Sequence, residues 1–212
     1  MNTATMAENE VFSWSACEDF RPVYPERIFT AQPVTADAIQ RTPHRDRRYS
    51  NAGVQLLNAC PGHRLPEGER VISAIAEEQP YIAEIYGDEL IGSLNALREF
   101  VDGRRVKVFA QLREGWLRTE DMAAYAGWHR ENRSLIATGF LPLHGPGTEI
   151  VVAEPQGIDR ASLTSAEIAV MGKKEQVPTS EFQFISGQTV HRTPRVRGSN
   201  RALLLATCYR ER

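Results

Sequence analysis

Three cysteines in 212 residues, Cys17, Cys60 and Cys208, are too few and too scattered to build a disulfide framework or a Cys-x-x-Cys motif. An odd, dispersed set suits a reducing cytoplasm, which is the expected compartment. No stretch reaches the roughly eighteen consecutive apolar residues of a membrane span. Met1 to Phe20 carries acids and lacks an apolar core, so it does not read as a signal peptide. No charge of one sign dominates. With 25 Lys and Arg against 27 Asp and Glu, the net charge of −2 removes the electrostatic case for nucleic acid. There is no His-x-x-x-His helix and no cysteine cluster, which ranks a hydrolytic zinc centre low. Internal repeats and low-complexity tracts are also missing. A membrane or nucleic-acid partner is therefore not expected, and a small molecule is.

What is present has an ordinary globular texture, 42% hydrophobic and 25% charged. One domain over 1–212 is expected from the length. Residues 1–20 read as a loose N-terminus. From 21 to 103 the chain reads first as a wrapping segment rich in proline and arginine, with short apolar runs such as Arg27-Ile28-Phe29-Thr30, and then as helices. Val71, Ile72, Ile75 and Ala76 recur at helical spacing after Pro66. Ile82, Ile85, Leu90, Ile91, Leu94, Leu97 and Phe100 continue the pattern until Asp102-Gly103 ends it.

Beyond Gly103 the texture changes to strands. Val106 to Leu112 alternates, Ser134 to Phe140 is apolar and β-friendly, and a turn at His144 to Thr148 leads into Glu149 to Val152. Thr119 to Tyr125 reads as a short helical turn. Glu181 to Ile185, Thr189 to His191 and Arg201 to Tyr209 complete at least six strand candidates, enough for a small jelly-roll. Helices first and strands after is an α+β order.

The chemistry gathers in the strand half. In His129-Arg130-Glu131 a strand would put residues i and i+2 on one face, and His191 supplies a third ligand from a distant segment. Two histidines and a carboxylate are the donor set of a non-haem Fe(II) centre that leaves three positions open. Two of these suffice for the 1-carboxylate and 2-keto oxygen of 2-oxoglutarate, and the third for O2. Arg201 opens the last apolar strand, and its planar fork of donors fits the far carboxylate of 2-oxoglutarate better than a lysine would. A second His-x-acid pair, His44 and Asp46, lies among Arg41, Arg45, Arg47 and Arg48 after Pro43, which reads as a solvated loop.

These motifs resemble a known family. Residues 104–212 are similar to the double-stranded β-helix core of the Fe(II)/2-oxoglutarate-dependent oxygenases, a jelly-roll, cupin-like barrel that the N-terminal helices would brace. Gly145-Pro146-Gly147-Thr148 resembles the Gly-Gly-Asp-Thr turn of the taurine dioxygenase and clavaminate synthase group. That likeness implies that Thr148 helps hold the far carboxylate of 2-oxoglutarate. The joint pattern of His129-x-Glu131-Asn132, Gly145 to Glu149 and Val190-His191-Arg192-Thr193-Pro194 resembles still more closely a family of small bacterial proteins without assigned function. The chain departs from the larger enzymes in length and in having no second arginine shortly after Arg201, Arg210 being the nearest.

Each residue also has a plainer role. His191 can be a lining histidine paired to a carbonyl, Arg201 a surface residue after the turn Ser199-Asn200, and Thr148 a turn residue. Glu149 reads as solvated. Arg192 and Arg195 suit either a carboxylated substrate or salt bridges. Trp116, Tyr125, Trp128 and Phe140 suit either an entrance or a core. The cluster around Arg45 and Tyr49 suits either an acidic substrate or open solvent. The expected activity is hydroxylation of a small carboxylate-bearing molecule, with Arg192, Arg45 and Trp128 as substrate contacts. The alternatives are a cupin-like iron oxygenase that does not use 2-oxoglutarate and a non-catalytic β-barrel binding module.

Overall fold

Two helices and nine strands carry most of the architecture of the computed structural model, which describes residues 26–30, 34, 38, 53–117, 127–131, 134–153, 163–194 and 199–210. In chain order these are β1 (Glu26–Thr30), β2 (Val54–Ala59), α1 (Gly68–Glu78), α2 (Pro80–Val101), β3 (Val106–Leu117), β4 (Leu135–His144) and β5 (Glu149–Ala153). A short helix, α3 (Ser165–Met171), follows, then β6 (Lys173–Gln176), β7 (Glu181–Ser186), β8 (His191–Arg192) and β9 (Ser199–Arg210).

The strands form two sheets, one of six strands ordered β1-β7-β4-β9-β3-β2 and one of three ordered β6-β5-β8. Every strand pair within them is antiparallel. Helices and antiparallel sheet agree with the expected class, and among the described residues no closed barrel is seen. Apolar packing is one of the things that join the two sheets. Phe140, Ile185, Leu203 and Leu205 of the larger sheet meet Ile150 of the smaller one and Val177 beyond it.

Alternation along β9 decides which residue faces where, because successive side chains point to opposite faces of a sheet. Ala202, Leu204, Ala206 and Cys208 share a core with α1 and α2. Arg201, Leu203, Leu205, Thr207 and Tyr209 line a cavity on the other face. On β3, Val106, Val108, Ala110 and Leu112 belong to the helix side, which leaves Arg113 on the cavity side. A register slip between Leu135 and Ala137 turns Leu135 toward the cavity while Ala137, Leu141 and Leu143 stay under the helices.

Helix α2 presents Ile82, Tyr86, Leu90, Leu94 and Leu97, spaced by three or four residues, as one buried face. It is also tied to β3 by polar contacts. Tyr81 and Tyr86 each donate a hydroxyl hydrogen to the Glu114 carboxylate, at 2.8 and 3.0 Å. The two long helices precede β3 to β9 as the sequence implied, but β1 and β2 come before the helices and form the two edges of the six-stranded sheet. Residues 119–125 lie outside the described part, so the helical turn expected there is not addressed. Strand β6 and helix α3 were not foreseen. The helix had a readable signal in Thr164-x-x-Glu167, which forms a capping box in which each side chain accepts from the other's backbone N–H.

Candidate metal centre and its cavity

His129 and Glu131 sit on extended backbone with no strand of its own. His129 forms an isolated antiparallel bridge with His191. Each N–H of the pair donates to the other's carbonyl at 3.0 Å, and the Glu131 N–H donates to Gly187 O at 2.9 Å. The bridge adds a narrow fourth rung beside β8. It brings the first two ligand candidates against the third, even though the expected ligand strand is only a short extended segment.

The donor atoms of His129, Glu131 and His191 all lie within 4.8 Å of one another. His191 Nε2 is 3.4 Å from Glu131 Oε1, and His129 Nε2 is 3.9 Å from it. The Nδ1 atoms are engaged elsewhere, His129 with Gly127 O and His191 with Thr189 O, both at 2.9 Å. A carbonyl can only accept, so each Nδ1 is the protonated nitrogen and each Nε2 faces the centre. There it can carry either a proton, as in the hydrogen bond from His191 to Glu131, or a metal ion. Backbone carbonyls thus set the ring orientation in the way that supports metal-bound histidines. The His191 hydrogen bond and the positive charges of His191, His129 and Arg113 hold the Glu131 carboxyl below the ordinary carboxylate range, against the opposing effect of its partial burial. His191 is buried at 3% exposure and packs near Phe140, with ring centroids 5.5 Å apart, while His129 is exposed.

Arg201, 2% exposed, lies along the same cavity of about 570 Å³. Its Nε donates to Pro146 O and its Nη2 to Thr148 Oγ1, both at 2.9 Å. The turn that presents these acceptors depends on two glycines. Gly145 has φ +74°, and a Cβ there would meet Asn200 O at 2.1 Å. A Cβ on Gly147 would meet Val177 O at 1.8 Å. Only residues without a side chain allow β4 to turn into β5 this close to β9. Thr148 O in turn accepts from Val177 N at 2.8 Å. Arg201 is therefore interior, and the plainer reading as a surface residue does not hold.

Around the rim, Arg192 stacks over the Trp128 ring at 4.3 Å and forms an ion pair with Glu149 through its Nε. Glu149, read from sequence as solvated, is the acid that holds Arg192. Trp128, Arg192 and Phe140 all line the cavity. Arg210 is exposed and lies outside the lining, so it is not the second arginine. Arg113, which sequence reasoning passed over, does line the cavity. Its signal was the alternation of β3, in which Val106 to Leu112 places odd-numbered residues opposite the helix-facing ones. Arg45, Arg41, Arg47, Arg48, His44, Asp46, Tyr49, Tyr125 and Arg195 lie outside the described residues, as does the side chain of Trp116. Among the described residues no helix is long and apolar enough to cross a membrane.

No protein-family model matches the chain, and no curated protein sequence does. Loose likenesses to solved structures exist. One is AviO1 from Streptomyces viridochromogenes Tue57, at 17% identity and TM-score 0.40, covering 92% of this chain and 94% of that one. A second is an oxidoreductase of the 2OG-Fe(II) oxygenase family from Burkholderia pseudomallei, at 16% identity and TM-score 0.38, covering 82% and 76%. A third is a Pseudomonas putida prolyl-4-hydroxylase, at 12% identity and TM-score 0.37, covering 94% and 99%. Likenesses at TM-scores of 0.40 and below do not assign the chain to a family.

Proposed function

We propose that this chain is an Fe(II)- and 2-oxoglutarate-dependent oxygenase that hydroxylates a small carboxylate-bearing molecule, such as an amino acid or natural-product intermediate. One observation carries the reading. Three donors of the right type converge in the cavity that also holds a buried arginine paired with a threonine. The donor set suits iron, because two neutral imidazoles and one carboxylate leave an ion of this kind with open positions. A buried guanidinium reached by a small ligand suits a carboxylate, because a desolvated charge of one sign favours a partner of the other.

His129, Glu131 and His191 would hold the metal, with the Gly127 and Thr189 carbonyls keeping both rings in the ligating orientation. Arg201 and Thr148 would bind the far carboxylate of 2-oxoglutarate, the arginine by charge and the threonine through its hydroxyl. Phe140, Leu203 and Leu205 line the space between and limit the water beside the reacting carbon. Trp128 and Arg192, on the side where His129 is exposed, are the proposed substrate contacts within the described residues, and Arg45 is one beyond them. When bound, iron with 2-oxoglutarate and O2 supplies an oxidant able to remove a hydrogen from an unactivated carbon, with succinate and CO2 as co-products.

The test is an anaerobic titration of Fe(II)-loaded protein with 2-oxoglutarate, following the weak visible metal-to-ligand charge-transfer band. Its appearance, and its weakening in Arg201→Ala, is the expected result. Stoichiometric iron without the band would replace this reading with an iron oxygenase that does not use 2-oxoglutarate. A protein that takes up no iron would leave a binding module.

A further inference from the structure

A second pocket, of about 360 Å³, lies where α2 ends, and it shares no lining residue with the metal cavity. Its wall includes Leu65 and Val101 of the core beneath the helices, so it opens on the helix side of the six-stranded sheet. The charged lining is mostly basic. Arg64 comes from the loop after β2, Arg98 from the last turn of α2, and Arg104 and Arg105 from the loop before β3, against one acid, Asp102. The chain as a whole has a net charge of −2, so this is a local concentration of cations that repel one another.

Arg104 has a structural task. Its Nη1 donates to Phe100 O at 2.6 Å, at the helix C-terminus where a cation is favoured, and its guanidinium lies 5.5 Å from the centre of the Phe100 ring. Arg98 is less well matched. Its Nη2 makes only a loose ion pair with Glu67, at 3.8 Å, which is too long for a hydrogen bond. Its Nε is buried and has no hydrogen-bond partner among the described residues. A buried donor on a charged group is costly to leave unmet, and this one belongs to the wall of a basic pocket.

We propose that this pocket binds the phosphate or diphosphate group of a small soluble molecule, with Arg98 and Arg64 as its main contacts. Arginine forks match the paired oxygens of a phosphate. A phosphate monoester carries about −1.5 to −2 charges at neutral pH, so it offsets the repulsion within the cluster better than a single carboxylate does. The volume is at the small end for ligand pockets, and Glu67 and Asp102 beside it work against an extended polyanion. The site stands independently of the reading of the metal centre.

The test is calorimetric titration with inorganic pyrophosphate of the whole chain, freed of metal by a chelator because pyrophosphate would bind the ion itself. At about 0.15 M salt, loosely attracted surface anions are screened. Saturable binding of one pyrophosphate per chain is expected, weakened roughly tenfold or more in Arg98→Gln and in Arg64→Gln. Arg64 is exposed, so its variant serves if Arg98→Gln does not fold. Arg98→Lys, which keeps the charge without the fork, should retain part of the affinity. Parent-like affinity in both glutamine variants would overturn the assignment, as would the absence of saturable binding. A loss in Arg201→Gln that Arg64→Gln does not share would place the anion in the metal cavity and overturn it as well. Co-sedimentation with vesicles containing phosphatidic acid, without pyrophosphate binding, would replace the small molecule with a membrane surface.

Discussion

Arg201 Nη2 donates to Thr148 Oγ1 at 2.9 Å across 53 residues of sequence, joining the first turns of β9 to the approach of β5. The contact links the larger sheet to the segment that leads into the smaller one, so both sheets shape the part of the cavity where the far carboxylate of 2-oxoglutarate is proposed to bind. Removing the hydroxyl alone should show how the two residues share the load. Thr148→Val is expected to weaken 2-oxoglutarate binding by about threefold to tenfold. Arg201→Lys should cost more, because an ammonium cannot reproduce the fork that reaches Pro146 O and Thr148 together. A double-mutant cycle on ligand affinity would show coupling between the positions, and strict additivity would count against their acting as one site.

Metal uptake should tolerate mild acid as far as Glu131 decides it. The His191 hydrogen bond above all holds its carboxyl below the ordinary carboxylate range, so it stays ionised as pH falls through that range. Glu131→Gln removes the charge and should weaken Mn(II) binding by roughly tenfold or more at neutral pH, read by calorimetric titration. Parent-like Mn(II) affinity in Glu131→Gln would remove the carboxylate from the ligand set.

Gly147 is the residue whose side chain the fold has no room for, with Val177 O 1.8 Å from where a Cβ would sit. Gly147→Ala must push β5 or the Val177 segment aside, at a cost of about 2 kcal/mol or more. For a chain of this size that is a fall in Tm of roughly 4–8 °C, measurable by thermal unfolding. Because Thr148 follows directly, 2-oxoglutarate affinity should fall as well, while metal uptake is retained. Unchanged stability would mean that the turn is looser than its geometry implies.

Cysteine reactivity should separate by position. Cys208 faces the helix-side core, and full burial pushes its thiol up to about 12, so it has almost no thiolate at neutral pH. Cys60 is exposed. Alkylation of native protein near pH 8, mapped by peptide mass spectrometry, should mark Cys60 and spare Cys208 until denaturant is added. Rapid labelling of Cys208 would show that β9 opens locally.

Much of this architecture was readable without coordinates, for local reasons. The helix boundaries followed from apolar spacing and from Asp102-Gly103, and the apolar run from Arg201 to Tyr209 read as a final strand. The residue types of the candidate site, His129, Glu131, His191, Arg201 and Thr148, stood out by chemistry and order along the chain. What the sequence could not say was which strand lies beside which. Pairing of His129 with His191 and of Gly115 with Arg201 is set by sheet register, which depends on contacts between segments far apart in the chain.

That register had consequences no local pattern could convey. It arranged the strands as a six-stranded and a three-stranded sheet, turned Glu149 into the partner of Arg192, and put Arg113 on the wall of the cavity. The sequence by itself determined the periodicities and the stock of ligating and charged groups, because those are properties of neighbours along the chain. Tertiary structure decided which of those groups face one another, because burial against a common core selects a single register and thereby a single set of partners.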